Sequence, residues 1–245
     1  MTGTLYVMDT SNSARRQGGR ELLDYVEVTI GAEPTCSVIW LHGLGADGHD
    51  FEPVVPYLGL PTGMAVRFIF PHATPRPITI NGGMVMRAWY DIVQISLARD
   101  QDEAGIMRSA EQVRALIAHE IARGIAASNI VLAGFSQGGA LALHVGLRYE
   151  QRLAGIMALS AYLLFPGRLA DERSPVNAQT PVFVGHGTMD PMVPLTLGEA
   201  TAAALGEGDW PVEWHTYPVP HSVSQPEIED VGRWLTARLG QVRQA

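Results

Sequence analysis

Ser136 stands at the centre of Gly134-Phe135-Ser136-Gln137-Gly138, between an apolar β-branched run (Ile130, Val131, Leu132) and a helical pattern of Ala140, Leu141, Leu143, Val145 and Leu147. A strand, a very tight turn and a helix form the context in which a G-x-S-x-G elbow carries a nucleophile, with the serine strained at the tip. Strand and helix approach closely there, so the residues two before and two after the serine must lack a Cβ. Gly134 and Gly138 meet that demand. The Gln137 amide, at the positive end of the new helix, then points where an oxyanion would form.

A serine hydroxyl attacks nothing at neutral pH without a base to take its proton, and that base needs a third group to fix its tautomer. On elbows of this kind the order along the chain is Ser, then Asp or Glu, then His, and such groups sit on loops beyond the carboxyl ends of strands. Asp190 follows the apolar run 181–185, and His221 leaves the end of the run 212–217. Asp171 and Asp209 precede strands, and Asp230 falls inside the last helix. Among the eight histidines, His119 and His144 fall in helices, His215 in a strand, and His49 and His72 in early loops. His42 and His186 end strands on the active side, but the first precedes Ser136 and the second is too near Asp190 to serve both neighbours. Both are expected to hold loops.

A second oxyanion donor is expected from the loop after an early strand. His42-Gly43-Leu44-Gly45-Ala46-Asp47-Gly48 follows such a strand directly, and the amide of Leu44 is the candidate. The loop has neither G-x-x-x-x-G-K-[ST] nor G-x-G-x-x-G, so a phosphate cradle is disfavoured.

The elements that must position these groups alternate. Tyr25 to Ile30 read as a half-buried antiparallel edge strand, Val38 to Leu41 as a more central one, and Ala65 to Phe70 as a third, ended by Pro71. Pro71 to Trp89 is too long and irregular for a plain connection. Its Ile80, Met84 and Trp89 suggest a flexible apolar wall beside the site, with packing under the loop as the alternative. Asp102 to Gly124 form an amphipathic helix with Ile106, Ala110, Val113, Ile117 and Ile121 on one side. Leu153–Ser160, Pro181–Gly185 and Val212–Tyr217 are further strands, and Pro226–Leu239 a closing helix. Leu163 to Gly167 is an apolar loop that either faces a ligand or packs. Strands alternating with helices predict an α/β fold, its mostly parallel central sheet covered by helices on both faces.

A chain of 245 residues that is 47% apolar suffices for one domain with a large core. Its net charge of -8, with no dense Lys/Arg cluster, argues against nucleic acid and anionic membrane surfaces. No apolar run approaches the length of a membrane span and no secretory hydrophobic region opens the chain, so a cytoplasmic location is expected. The single Cys36 lies in an apolar run and excludes an internal disulfide. Residues 1–23, polar and aperiodic, read as a flexible N-terminal arm.

Together these residues make the sequence similar to the carboxylesterase and acyl-protein thioesterase (phospholipase/carboxylesterase) family of α/β-hydrolases. The likeness rests on six ordered blocks: Leu41 to Gly45, Arg76 to Gly83, Met86 to Asp91, Gly134 to Ala140, His186 to Asp190, and His221 to Val223. Extending from about residue 36 to 239, it implies an α/β-hydrolase fold and no cofactor, with residues 24–245 expected to form the single domain. It implies Ser136 as nucleophile, His221 as general base and acid, Asp190 as its orienting partner, and the Leu44 and Gln137 amides as the oxyanion hole. It also implies that the 75–89 loop, with residues near Leu163 and Met192, borders an acyl-binding groove. The expected substrate is a small-molecule or acyl-chain carboxylic ester, with thioesters and lysophospholipids as further candidates. A non-catalytic ligand-binding relative is the alternative from another class, and the assembly is left open between monomer and homodimer.

Overall fold

The computed structural model describes residues 6–9, 16–17, 20–94 and 101–240. Ten strands carry the architecture: β1 (Tyr6–Asp9), β2 (Tyr25–Ile30), β3 (Cys36–Leu41), β4 (Val66–Pro71), β5 (Pro75–Ile78), β6 (Met84–Arg87), β7 (Ile130–Phe135), β8 (Gly155–Leu159), β9 (Val182–Gly187) and β10 (Val212–Tyr217). The main helices are α1 (Glu103–Ala122), α2 (Gln137–Gly146), α3 (Leu195–Glu207) and α4 (Gln225–Leu239). Eight strands form one sheet in the order β1-β2-β4-β3-β7-β8-β9-β10. From β4 to β10 every pairing is parallel, and β2 runs antiparallel to both its neighbours.

All six residues of β3 and all five of β8 are buried, as strands covered on both faces must be. Period-two alternation sorts their side chains into two cores. Ile39, Leu41, Ile69, Ile130 and Leu132 face the side packed by α1 and α2, whereas Val38, Trp40, Phe68, Phe70 and Val131 face the side closed by α4 and Phe51. All ten residues of α2 are buried, which explains why its pattern is apolar nearly all round. Asp102 caps α1 by accepting the Gly105 N–H at 2.9 Å.

Two expectations are corrected. Tyr25–Ile30 is not the sheet edge, because β1 pairs outside it with Met8 opposite Val28. The segment expected to be a flexible arm thus supplies a strand, and also a two-residue ladder of Arg16–Gln17 with Arg20–Glu21; its remaining residues up to 19 lie outside the described residues. Nor is the stretch after Pro71 irregular: β5 and β6 form an antiparallel hairpin closed by a short helical turn at Thr79–Asn81 and by Gly82 and Gly83 at φ +66° and +82°. Pro75 and Pro77 obscured it, since proline argues against a strand except where no ladder N–H is needed. A two-stranded ribbon leaves such places on both outer edges.

Candidate active site

The parallel strands end together, with Leu41 opposite Gly134, Phe135 opposite Leu159, Leu159 opposite Gly185, and Gly187 opposite Tyr217. Every site residue inferred from the triad pattern lies at or just past this rim. Ser136, between β7 and α2, has φ 54° and ψ -119°, a conformation that costs about 1–3 kcal/mol and persists only where its surroundings enforce it. The enforcement is steric. A Cβ at Gly134 would lie 2.3 Å from the backbone of Gly138, and one at Gly138 would lie 2.4 Å from the Leu41 carbonyl oxygen and 2.5 Å from that of His42. Gly139 is equally confined, at 2.7 Å from the Ala161 Cβ. The Ser136 N–H donates to the Leu159 carbonyl at 2.8 Å.

His221 Nε2 stands 2.9 Å from Ser136 Oγ, and its Nδ1 stands 2.6 Å from Asp190 Oδ2. A carboxylate only accepts, so Nδ1 carries the proton and Nε2 is left to accept from the serine hydroxyl. The ring packs against Phe135, with centroids 4.8 Å apart. The Asp190 side chain is wholly buried, and its other oxygen accepts the N–H groups of Met192 and Val193 at 2.8 and 2.9 Å. Behind it the buried His186 donates through Nε2 to the Val193 carbonyl at 2.9 Å. This is a loop-holding contact of the kind expected.

Opposite the base, the 43–45 loop leans on the elbow, with the Cβ position of Gly43 3.6 Å from Ser136 Cβ. Among the described residues, the amides of Leu44 and Gln137 have no acceptor. That of Gln137 opens a helix and so has none within it. Both N–H groups are available to an oxyanion. The loop is held from behind by His42: the Ala73 N–H donates to its Nε2 at 3.0 Å, so Nδ1 carries the proton and donates to the Gly43 carbonyl at 2.7 Å. Burial pulls the pKa of His42 down to about 4, so the imidazole is neutral at pH 7.

Trp89, expected in the wall of the site, is fully buried. Its indole N–H donates to the His42 carbonyl at 2.9 Å, and its amide donates to the Gln137 side-chain oxygen at 2.8 Å. The correction has a plain cause, since an indole whose N–H finds a partner is a preferred core residue. Leu163 also joins the core, 7% exposed, its amide bonded to Thr201 Oγ1 at 3.1 Å. Ile80, Met84 and Met192 are exposed, the first two on the hairpin and the third just past Asp190. The hairpin is tied to the oxyanion loop where the Gly45 N–H donates to the Arg87 carbonyl at 2.9 Å. Sequence reasoning missed the Gln137 side chain. Its Nε2 donates to the Tyr90 carbonyl at 2.7 Å, so one amide group clamps two consecutive backbone units. No local pattern announces such a contact across 47 residues.

Known proteins resemble the chain along most of its length. Residues 24–239 match the sequence profile described as phospholipase/carboxylesterase. An acyl-protein thioesterase 1 of Neurospora crassa is 42% identical over 220 residues, covering 86% of this chain and 90% of the relative. Another, of Gibberella zeae, is 41% identical over 217 residues, covering 85% and 92%. Among solved structures, Arabidopsis thaliana SOBER1 superposes with a TM-score of 0.78 at 32% identity, covering 83% of this chain and 99% of that one. Zea mays acyl-protein thioesterase 2 gives 0.75 at 28%, covering 85% and 96%. A rim with a strained serine, a continuous profile match and relatives above 40% identity converge, and the chain is a hydrolase of the α/β fold that belongs to the phospholipase/carboxylesterase family.

Proposed function

We propose that this chain hydrolyses carboxylic esters and thioesters by acyl transfer through Ser136, and that its substrates include acyl chains carried on proteins. Ser136 Oγ attacks the carbonyl carbon while His221 Nε2 takes the hydroxyl proton. Asp190 holds the imidazole in the accepting tautomer and stabilises its charged form. The Leu44 and Gln137 amides receive the tetrahedral oxyanion, each contributing about 3–4 kcal/mol to lowering the barrier. His221 returns the proton to the departing alcohol or thiol, and water repeats the sequence on the acyl-enzyme. No step calls for a cofactor.

The observation that carries this reading is the unbroken run from Asp190 through His221 to Ser136 at 2.6 and 2.9 Å. Thioesters are included among the substrates on the strength of the names of the relatives in Neurospora crassa and Gibberella zeae, both acyl-protein thioesterases. Ile80, Met84 and Met192, exposed apolar side chains on the hairpin and beside Asp190, suit a wall for an acyl chain. We take residues 24–245 as one catalytic domain, a reading that the shared sheet supports. No described helix is long and apolar enough to cross a membrane; a cytoplasmic location is part of the proposal.

Hydrolysis of p-nitrophenyl butyrate and of a palmitoyl thioester by the intact chain tests it. Ser136→Ala should lower kcat by about 10⁴- to 10⁶-fold on both. A folded Ser136→Ala protein that kept a tenth of the wild-type rate would discard the mechanism.

A further inference from the structure

Glu227 is fully buried, and among the described residues neither of its carboxyl oxygens has a hydrogen-bond partner. It sits in the first turn of α4, three residues past the cap Ser224, whose Oγ accepts its N–H at 3.3 Å. In a capping box the acid at this position turns back to the cap amide. Here that amide lies near enough to favour the carboxylate but outside hydrogen-bonding geometry. The side chain reaches instead to β9, where a Cβ at Gly185 would lie 2.7 Å from its Oε1.

That position is one layer behind the acid and the base. Gly185 leads through His186 and Gly187 to Asp190, and Tyr217 leads through Pro220 to His221. The two loops press on each other at Gly187, whose Cβ position is 2.4 Å from the carbonyl oxygens of both Val219 and Pro220. The N–H groups of Thr188 and Met189 donate to the carbonyls of Tyr217 and Val219 at 2.7 and 3.1 Å. Helix α4 begins three residues after His221 at its cap Ser224, so its first turn fixes where the base-bearing loop ends.

Among the described residues the surroundings offer no countercharge. The Gly185 Cβ position that meets Glu227 Oε1 is otherwise bounded by apolar atoms, Leu159 Cδ2 of β8 and Phe183 Cε1 of β9, each at 3.3 Å. From β10, the Tyr217 hydroxyl donates to Asp230 at 2.8 Å, and His215 Nδ1 lies 4.0 Å from the same carboxylate. On α4, Asp230 is paired with Arg233. On the short turn packed against α4, Glu52 is held by His49 at 2.7 Å. Burial accordingly pushes the Glu227 carboxyl up to about 7.

We propose that Glu227 is a positioning residue for the Asp190–His221 pair and works as a neutral carboxylic acid, its uncharged bulk setting the spacing between the first turn of α4 and β9. Ionisation places an unpaired negative charge in that apolar seam and spreads the two loops that the seam aligns. The sign follows from linkage. The unfolded carboxyl ionises near 4.5 and the folded one near 7; the stabilisation is complete below the lower value and lost as pH rises through the upper one.

The inference rests on the acyl-transfer reading, and one experiment separates the two. kcat and KM for p-nitrophenyl butyrate are measured from pH 5.5 to 9.5 on intact wild-type, Glu227→Gln and Glu227→Ala proteins, with melting temperature at each pH. Wild-type kcat should fall above pH 7. Gln, of the same shape but unable to ionise, should remove that falling limb, and its melting temperature should gain on wild type between pH 5 and 8. Ala, which empties the seam, should lower kcat by about 10- to 100-fold with KM within twofold, as a misplacement near 1 Å does. If wild type cleaves no ester, the acyl-transfer reading fails. If wild type is active and Gln reproduces its pH profile, the positioning role alone is overturned. Should the Ala protein not fold, the comparison of Gln with wild type decides.

Discussion

Asp190 divides its carboxylate between two tasks. Oδ1 accepts two backbone N–H groups from Met192 and Val193, and Oδ2 accepts the proton-bearing Nδ1 of His221. An Asp190→Asn variant keeps the shape and has only one accepting oxygen. If that oxygen stays on the loop, both backbone bonds survive and the new NH₂ faces His221. If it turns to His221 instead, two buried N–H donors confront an NH₂, at a cost of about 1–3 kcal/mol for each stranded donor. The loop-facing orientation is therefore favoured by about 2–6 kcal/mol, and the NH₂ faces Nδ1 in well over nine molecules in ten. Nδ1 must then accept, the ring proton moves to Nε2, and Nε2 can no longer receive the proton of Ser136.

The expected result is a fall in kcat of about 10⁴-fold, the size seen where a triad aspartate is exchanged for asparagine and the wrong tautomer is trapped. KM should stay within about threefold, since the Asp190 side chain is wholly buried and meets no substrate. The melting temperature should stay within about 3 °C, because both loop bonds are retained. Steady-state hydrolysis of p-nitrophenyl butyrate and the labelling rate of Ser136 by a fluorophosphonate read the effect independently. A folded Asp190→Asn protein within tenfold of wild-type kcat would refute the tautomer argument, and with it the role assigned to Asp190.

Two further substitutions probe the elbow and its bracing. Gly138→Ala puts a methyl group 2.4 Å from the Leu41 carbonyl oxygen, with backbone on both sides and nothing flexible to yield; the urea midpoint should report a loss of about 3 kcal/mol or more, and a loss under 1 kcal/mol would show that β3 and α2 can part freely. Trp89→Phe keeps an aromatic ring but strands the buried His42 carbonyl, at about 1–3 kcal/mol; kcat should fall while KM for short and long acyl esters stays level, whereas a rise in KM confined to long chains would return Trp89 to the wall of the site.

The convergence of Ser136, His221 and Asp190 was legible because each of the three carries a signature that survives without coordinates. The elbow needs glycine at fixed offsets from Ser136, and chain order with strand ends selects Asp190 and His221. The parallel strands were equally plain, since burial on both faces leaves continuous apolar runs such as Val38 to Leu41. What escaped was decided by contacts between distant residues. The hairpin of β5 and β6 was hidden by Pro75 and Pro77. Met84 on the hairpin and Trp89 just beyond it read alike as apolar loop residues, yet one is exposed and the other buried. Their difference lies in a partner for the indole N–H, the His42 carbonyl 47 residues away. Glu227, charged by composition, lies on the buried face of α4 beside Val231 and Trp234, where periodicity alone predicts an apolar side chain.

The two halves of the rim are braced by different means. On the base side, charge is present: Asp190 is held by backbone amides and faces His221. On the oxyanion side, the side chains directly behind the loop are neutral and buried, with Gln137 clamping Trp89 and Tyr90, Trp89 holding His42, and His42 holding Gly43; the Arg87 guanidinium stands one step further back, donating to the Ala73 carbonyl at 3.0 Å. A fixed cation in direct contact with the oxyanion would bind any carboxylate product tightly and stabilise ground and transition states alike, which does nothing for the chemical step once substrate is bound. Oriented amides with no other acceptor favour the oxygen that gains charge during attack, and a neutral brace keeps them oriented without adding a field of its own. The low pKa of His42 is then part of the design of the rim: a protonated ring could no longer accept the Ala73 N–H, and the loop carrying Leu44 would lose an anchor behind its donor.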